Sequence, residues 1–194
     1  MNAREQKLAK LQAAIEEYQS NGSELFDEQR ELNKAPVRHR ALLLLDQRAR
    51  SRFELKERLK ALEFDETVID EVLDDLQAVN LVDDAAFAHE WVRQRHELRG
   101  KSRKVLNQEL KQKGVAETIR NAALEQVDEH SERALARKLA AKKARSIKTA
   151  PENRAERDKH LRRILGVLAR RGFAEAGAFQ IALEALDQRI EELR

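Results

Sequence analysis

The sequence predicts an all-α protein made of three tandem copies of a three-helix unit. The first observation behind this prediction is composition: 38% of the 194 residues are charged, and there are only two prolines, six glycines and eight aromatic residues. This mixture is rich in helix formers and poor in the β-branched and aromatic residues that strands favour. The second observation is a repeated spacing of apolar residues, which also sets the number of units.

The repeated spacing is an interval of 13 residues that occurs three times, from Ser51 to Phe64, from Ser102 to Val115 and from His160 to Phe173. Each interval contains an apolar pair four residues apart, and such a pair lies on one face of a helix. The three pairs are Leu55/Leu59, Leu106/Leu110 and Ile164/Leu168. Each interval therefore predicts the second helix of one unit.

The end of this second helix is indicated by a glycine in two of the three copies. Gly114 and Gly172 each precede an apolar residue, a pattern typical of a left-handed helix stop. The first copy has Glu63 at this position, so we expect its helix to end in a different way. Ser51, followed by Glu54, forms a capping-box sequence at the start of the second helix of the first copy. Ser102 can cap the corresponding helix of the second copy.

The other helices of each unit follow from the apolar pattern on either side. The first helices are predicted at about Val37–Arg48, Asp84–Arg99 and Glu129–Ile147. The third helix of each copy is predicted to face the core with one apolar stripe. The stripe is Val68, Val72, Leu73 and Leu76 in the first copy, Ile119, Ala123, Leu124 and Val127 in the second, and Phe179, Leu183, Leu186 and Ile190 in the third. The third stripe is offset by one or two residues from the others. Asp65 is the expected N-cap of the third helix in the first copy.

These elements divide the chain into four segments. We expect an N-terminal arm, partly helical or flexible, and then three repeats, at residues 1–35, 36–82, 83–128 and 129–194. Each repeat is too small to bury its apolar faces alone, so neighbouring repeats are expected to stack into an elongated, curved, solenoid-like body. The low aromatic content predicts slender cores of Leu, Ala and Val.

Charge is distributed unevenly along the chain, although the net charge is only +3. Residues 129–194 carry 16 basic and 10 acidic residues, while residues 36–82 carry 8 and 10. This asymmetry indicates that the partner is a polyanion, or a protein that already coats one. The chain has no cysteine and no long apolar run, so we expect a cytoplasmic protein without a membrane segment.

Known catalytic motifs are approached but not completed. His89 and Glu90 begin the spacing of a zinc-protease helix, but Arg93 occupies the position of its second histidine. Gly100-Lys101-Ser102 resembles the end of a phosphate-binding loop in the wrong helical context. The five histidines are scattered, so we predict no metal site, no cofactor and no enzymatic activity.

Basic residues form three clusters that are candidate partner-binding or phosphate-binding sites. The first comprises Arg93, Arg95, Arg99, Lys101, Arg103 and Lys104; the second comprises Arg137, Lys138, Lys142, Lys143, Arg145 and Lys148; the third comprises Arg162, Arg163, Arg170 and Arg171. Each cluster is open to two interpretations, a solvated helix face or a surface for an anion. For the second cluster, the argument for an anion surface is that no acid lies between residues 133 and 148, and the two interpretations have equal weight. Trp91 is predicted to be core, and without interleaved aromatics any nucleic-acid contact should be with phosphates.

Three segments of the sequence resemble the RecX family of bacterial regulatory proteins. They are SRFELKERLKALEF from residue 51, NLVDDAAFAHEWVRQR from residue 80 and GKSRKVLNQELKQKGV from residue 100. The resemblance covers residues 36–194, is strongest in the first two repeats and weakens in the third. It has no short catalytic motif, so no binding residue is transferred by it.

The resemblance implies a non-enzymatic regulator that binds the RecA recombinase and the groove of the RecA–DNA filament. It further implies inhibition of strand exchange, ATP hydrolysis and coprotease function, in DNA recombination, repair and the SOS response. We expect a monomer with weak, sequence-independent DNA contact. The alternative is a helical nucleic-acid-binding protein that acts on DNA directly. A helix-turn-helix reader is disfavoured because residues 65–75 in the third helix of the first repeat carry six acids.

Overall fold

A computed structural model describes residues 28–173 and 176–194 of the chain. Within these ranges the regular structure is entirely helical. Nine helices follow one another: α1 (Glu28–Gln47), α2 (Arg52–Lys60), α3 (Glu66–Ala78), α4 (Asp84–Arg99), α5 (Arg103–Gln112), α6 (Glu117–Leu124), α7 (Glu129–Ala144), α8 (Arg154–Arg170) and α9 (Ala176–Glu192). The prediction of an all-α protein with repeated three-helix units is therefore confirmed.

The described residues group into two compact units. The first contains residues 28–49 and 55–81, and the second contains residues 50–54 and 82–194. The second unit thus holds the whole of α4 to α9, that is, the second and third repeats, as well as the short segment that opens α2. The predicted repeat borders at residues 35, 82 and 128 and the curved, elongated shape stay predictions.

The apolar pairs predicted in the second helix of each repeat are all in the core. Their six side chains are at most 1% exposed. The second repeat buries Phe87, Val92 and Leu124 around its pair, and the third buries Ala136, Ala140, Leu186 and others around its own. Leucine and alanine predominate, as the low aromatic content indicates, and each of these two repeats has its own apolar cluster.

Polar caps begin the helices where the sequence places them. The Oγ atom of Ser51 accepts a hydrogen bond from the N–H of Glu54 at 3.1 Å, and Ser102 Oγ accepts one from Val105 at 3.4 Å. Asp65 accepts from the first turn of α3. These bonds satisfy helix N–H groups that have no partner within the helix.

The helix stops differ from the prediction in one respect. Gly114 and Gly172 have φ angles of 71° and 92°, as expected for left-handed residues. Glu63 has a φ angle of 63°, so the first repeat ends α2 with the same left-handed backbone, and the prediction of a different cap is wrong. A left-handed glutamate costs about 1–2 kcal/mol, which the fold of the first unit has to offset.

Each glycine stop of the second unit contacts the serine cap of an earlier helix. The N–H of Ser102 donates to the carbonyl oxygen of Arg171 at 2.9 Å, and Ser51 Oγ donates to that of Lys113 at 2.7 Å. A Cβ atom on Gly172 would stand 2.2 Å from Ser102 Oγ, and one on Gly114 would stand 2.3 Å from Phe53 Cβ. Glycine is therefore required at both positions for space as well as for backbone conformation.

Helix α1 begins at Glu28, well before the predicted start at Val37, and it includes Pro36. Pro36 cannot donate a backbone hydrogen bond, which costs about 3 kcal/mol inside a helix. Two side chains from the turns before it form ion pairs that help to offset this cost. Arg30 contacts Glu71 of α3 through two hydrogen bonds of 2.8 Å, and the Nζ atom of Lys34 lies 2.6 Å from Asp75.

These ion pairs give the acidic helix α3 a structural role. Lys34 has a side chain only 9% exposed, and Asp75 also accepts a bond from Arg38 at 3.2 Å. Lys56 neutralises two further acids of this surface, Glu66 and Asp70. Most of the predicted acidic cluster is thus paired within the first unit.

We expect Asp75→Asn to lower the free energy of unfolding of the first unit by about 1–2 kcal/mol, because it leaves the buried Lys34 ammonium without its nearest carboxylate. The effect is small because the Asp75 side chain is 43% exposed and water screens the pair. Thermal unfolding followed by far-ultraviolet circular dichroism at neutral pH measures it. Asp46→Asn, an equal charge change on the exposed face of α1, is the control and should have no effect.

The same pair gives the direction of a pH effect. Burial opposes the ionisation of Asp75, but the hydrogen bonds from Lys34 and Arg38 outweigh it and hold its pKa below the usual range. A lowered carboxyl pKa stabilises the fold above the unfolded value of about 4, and this contribution is lost as the pH falls through the folded value. The difference between Asp75→Asn and wild type should therefore disappear in acid. A difference that persists in acid would contradict the assignment.

The third repeat departs most from the prediction. Helix α8 begins after Asn153, whose side chain caps the N–H of Glu156, and not near His160 as the 13-residue interval implies. Helix α7 ends at Ala144, although Ile147 is still buried. Phe179, predicted to face inward, is 52% exposed, because the buried positions of α9 are Ala178, Ile181, Ala182 and Leu186.

The predicted N-terminal arm is only partly covered by the structure. Residues 28–35 are helical and belong to α1, while residues 1–27 lie outside the described part of the chain. In the described ranges no helix is both long enough and apolar enough to cross a membrane.

Candidate functional site

Helix α7 separates its charges along its length. Asp128 caps it by accepting a hydrogen bond of 2.6 Å from the N–H of Ser131, and Glu129 and Glu132 lie in the first turn. The remaining charged residues of the helix are basic. This arrangement agrees with the helix dipole, which favours acids at the start and bases at the end. The dipole accounts for the last turn, but not for bases in the middle of the helix.

Alanines fix the orientation of α7. Ala136, Ala140 and Ala144 are at most 2% exposed and pack in the core of the third repeat beside α8 and α9. Because successive residues are rotated by about 100°, the opposite side of the helix points to solvent. Five bases on this side and in the turn after it are exposed, and we call them the α7 basic face: Arg137, Lys138, Lys142, Arg145 and Lys148.

The α7 basic face carries uncompensated charge. Its five side chains make no ion pair with any acid in the described ranges. Two nearby arginines behave differently: Arg133 pairs with Glu129 at 2.7 Å, and Arg157 pairs with Asp187 at 2.6 Å. A merely solvated face normally mixes its signs, so this surface is suited to a polyanion.

Lys143 is separated from that face and meets another predicted cluster. It lines a small cavity of about 30 Å³ between α7 and α8 together with Arg163 of the third cluster. His160 and Ser146 line the same cavity, and the sequence analysis did not select either of them. The helical phase of α8 could have indicated His160, because it lies three residues before Arg163.

The first predicted cluster is largely committed to contacts within the second unit. Arg93 forms ion pairs with Glu90 and Glu97, and the hydrogen bonds of Arg93 and Gln94 lower the pKa of Glu90 to about 2. Arg103 donates its backbone N–H to Glu132 and its side chain to a carbonyl. In the described ranges, Arg99, Arg103 and Lys104 are the exposed members of this cluster without an ion pair.

Trp91 explains two further members of the first cluster. The guanidinium carbon of Arg95 lies 4.0 Å from the centre of the indole ring, and Lys113 Nζ lies 4.1 Å from it. The indole N–H donates to Glu109, whose carboxylate also lies 3.8 Å from Lys101. Trp91 is half-buried against the second core, so the structure agrees with its prediction as a packing residue.

The third predicted cluster is divided between two roles. Arg162 and Arg170 are exposed, and Arg163 lines the small cavity already described. Arg171 instead donates to the carbonyl oxygen of Arg99 and so helps to join the second and third repeats. The sixteen predicted bases therefore do not form one surface, and the α7 basic face is the largest group without ion pairs among the described residues.

These features define a class of protein: a helical-repeat protein with one strongly basic helix face. In the described residues no group of three or more His, Cys, Asp or Glu side chains has the geometry to hold a metal ion. The α7 basic face is the candidate functional site.

Comparison with known proteins identifies the family. Two family models match, described as the first three-helix domain of RecX, over residues 38–76, and the second, over residues 83–124. The regulatory protein RecX of Corynebacterium efficiens is 56% identical over 193 residues, which cover 97% of this chain and 92% of the relative. That of Streptomyces coelicolor is 38% identical over 78% of each chain.

A solved structure supports the same assignment. A crystal structure of regulatory protein RecX superimposes with a TM-score of 0.67 at 26% identity, and covers 84% of this chain and 81% of the other. The chain belongs to the RecX family of regulatory proteins. The family predicted from the three sequence segments is thus confirmed.

Proposed function

We propose that this protein is a non-enzymatic regulator that binds the RecA recombinase on DNA and inhibits its recombinase, ATPase and coprotease activities. Membership of the RecX family supports the partner, because its relatives are named regulatory proteins. The single structural observation that carries the proposal is the α7 basic face, whose uncompensated charge suits a partner that includes DNA. We further propose that it acts in the cytoplasm as a monomer.

The repeat supports a mode of action by binding and obstruction. Each of the second and third repeats has its own core, and serine caps and glycine stops join them into one compact unit. Such a unit can place the α7 basic face against DNA phosphates while other surfaces contact the recombinase. Inhibition then follows from blocked filament growth or restrained subunit movement and needs no chemistry from the regulator.

A second candidate function is direct, sequence-independent binding to DNA, which the same basic face also favours. The two functions differ in what limits inhibition. A regulator of the filament acts in proportion to RecA, whereas a protein that only coats DNA acts in proportion to DNA.

The test is ATP hydrolysis by RecA on circular single-stranded DNA. We expect turnover to fall at ratios well below one regulator per RecA monomer, because one blocked filament end affects many subunits. At a fixed ratio of regulator to RecA, adding more single-stranded DNA should leave the fractional inhibition of turnover unchanged. Recovery in proportion to the added DNA would favour direct DNA binding, and unchanged turnover at all ratios would reject the proposal.

A further inference from the structure

We propose that a cleft between the second and third repeats receives an apolar side chain, with a neighbouring carboxylate, from a protein partner. The cleft has a volume of about 710 Å³ and lies wholly within the second unit. Its walls come from α5 and α6 on one side and from α7 and α9 on the other. The volume is typical of ligand pockets, which range from about 300 to 1,000 Å³.

The floor of the cleft is apolar. It is formed by core residues of both repeats, namely Leu124, Ala136, Phe173, Ala178 and Ile181. An apolar group that enters the cleft contacts these side chains and leaves water, which contributes about 25 cal/mol for each Å² of apolar surface buried. The floor therefore favours an aliphatic or aromatic anchor.

Hydrogen bonds hold the walls in place. The N–H of Arg103 donates to Glu132 at 2.8 Å, and this bond joins α5 to α7. The bond from Ser102 to Arg171 joins the start of α5 to the end of α8. These bonds hold α5, α7 and the end of α8 in fixed positions around the cleft, so a partner meets walls of defined shape.

The charged residues at the rim of the cleft determine which charged group of the partner can lie beside its apolar side chain. The three acids of the rim already have partners: Glu129 pairs with Arg133, Glu132 accepts from Arg103, and Glu184 accepts from Gln180 at 3.0 Å. In the described ranges, the bases Arg103, Lys104 and Arg137 line the cleft without an ion pair. The lining carries four bases against these three acids, a formal charge of +1, so a carboxylate beside the anchor is favoured.

The same rim argues against a nucleic acid in the cleft. A phosphodiester chain would bring a row of charges past three carboxylates, whereas the α7 basic face presents no acid to it. A protein segment needs only one carboxylate near Lys104 and Arg137. The third repeat thus contributes to two adjoining surfaces for two classes of partner, DNA on the α7 basic face and protein in the cleft, and Arg137 belongs to both. The identity of the protein as RecA rests on the proposed function.

Gly177 allows the cleft to be filled without disturbing the fold. It lies in the first turn of α9 and lines the cleft, and a Cβ atom built on it has no atom within 4 Å. Gly177→Phe should keep the protein folded, because phenylalanine has a higher helix propensity than glycine. Gln188→Phe, on the same helix but outside the cleft, adds the same ring and is the matched control.

The direct test measures fluorescence anisotropy of a labelled peptide, Gly-Ser-Asp-Leu-Asp-Phe-Ser-Gly, and of a control in which lysine replaces both aspartates. We expect the aspartate peptide to bind wild type with a dissociation constant below about 1 mM, which corresponds to about −4 kcal/mol. Gly177→Phe should weaken it at least tenfold, and Gln188→Phe should not. Lys104→Glu should weaken the aspartate peptide but not the lysine peptide.

The inference would be overturned if the aspartate peptide did not bind wild type, or if Gly177→Phe bound it as tightly as wild type does. Labelled oligothymidylate serves as the DNA probe in the same assay. Loss of its binding in Gly177→Phe would also overturn the inference, because filling the cleft should leave DNA binding unchanged. A parallel RecA ATPase titration should show Gly177→Phe inhibiting only at concentrations about tenfold higher. If wild type has no effect on RecA, the proposed function fails, and the peptide experiment still decides whether the cleft binds a protein segment.

Discussion

Gly172→Ala is expected to lower the free energy of unfolding of the second unit by about 3 kcal/mol. The left-handed backbone at this position costs an alanine about 1–2 kcal/mol, and the added methyl group costs a further 1–3 kcal/mol of crowding. The crowding is specific, because the new Cβ atom would lie 2.2 Å from Ser102 Oγ and 2.4 Å from a methyl carbon of Val105. Neither atom can move away without loosening the cap of α5.

Glu63→Gly at the equivalent position of the first repeat should have the opposite sign. Its φ angle of 63° is strained for glutamate and relaxed for glycine. We expect a gain of about 0.5–1 kcal/mol, after the larger entropy of glycine in the unfolded chain is subtracted.

Both changes are measured by urea unfolding. Trp91, the only tryptophan of the chain, lies in the second unit and reports on Gly172→Ala by fluorescence. Circular dichroism reports on Glu63→Gly. Equal stability of Gly172→Ala and wild type would show that the stop is not in close contact with the serine cap. A loss of stability in Glu63→Gly would show that the left-handed stop of the first repeat is not strained.

The core of the protein could be predicted from the sequence because helical packing repeats with a fixed period. The apolar pairs of the second helices, such as Leu55/Leu59, are buried in all three copies. The caps Ser51, Ser102 and Asp65 were found because a short polar side chain before an apolar run has few other local roles. These signals are local, and a single copy of the repeat contains them.

Errors arose where distant contacts outweigh local signals. The apolar pattern suggested that α1 begins near Val37, but Arg30 and Lys34, in the turns before it, form ion pairs with the distant helix α3. The interval ending at Phe173 suggested a start near His160, while Asn153 supplies a better cap two turns earlier. Glu63 adopts the left-handed backbone conformation, which is unfavourable for glutamate, so the conformational preference of the residue does not predict it.

The candidate site could be predicted only in part. A run of bases without acids identified the α7 basic face, because charge is visible in composition. The ion pairs that commit Arg93 and the hydrogen bond that commits Arg171 were not visible, since one depends on helical geometry and the other on contact between repeats. The cleft was missed because its walls come from four helices and no contiguous motif records it.

Replacing Lys142 and Arg145 together by glutamate is expected to weaken binding to the RecA filament on single-stranded DNA by about tenfold to a hundredfold. Two phosphate contacts are lost, and two new carboxylates face the phosphates. The slope of log affinity against log salt should fall by about 1.4, because each contact with a single strand contributes about 0.7. Circular dichroism should be unchanged, because both side chains are exposed.

The control is Arg58→Glu with Lys111→Glu. These two bases are exposed in the last turns of α2 and α5, so the pair has the same charge change and a similar helix-dipole cost. Its affinity should change much less than that of the Lys142 and Arg145 pair, and its salt slope should match wild type. Equal losses in the two variants would mean that overall charge governs binding, and the α7 basic face would then have no special role.

The salt slope distinguishes a loss of phosphate contacts from a loss of protein contacts. If affinity falls while the slope stays at the wild-type value, Lys142 and Arg145 contact the recombinase and not the DNA. If both fall together, the α7 basic face lies against phosphates, as its lack of ion pairs within the described ranges indicates. The gradient of charge along the repeats then orients the protein on the filament, with the third repeat toward the nucleic acid.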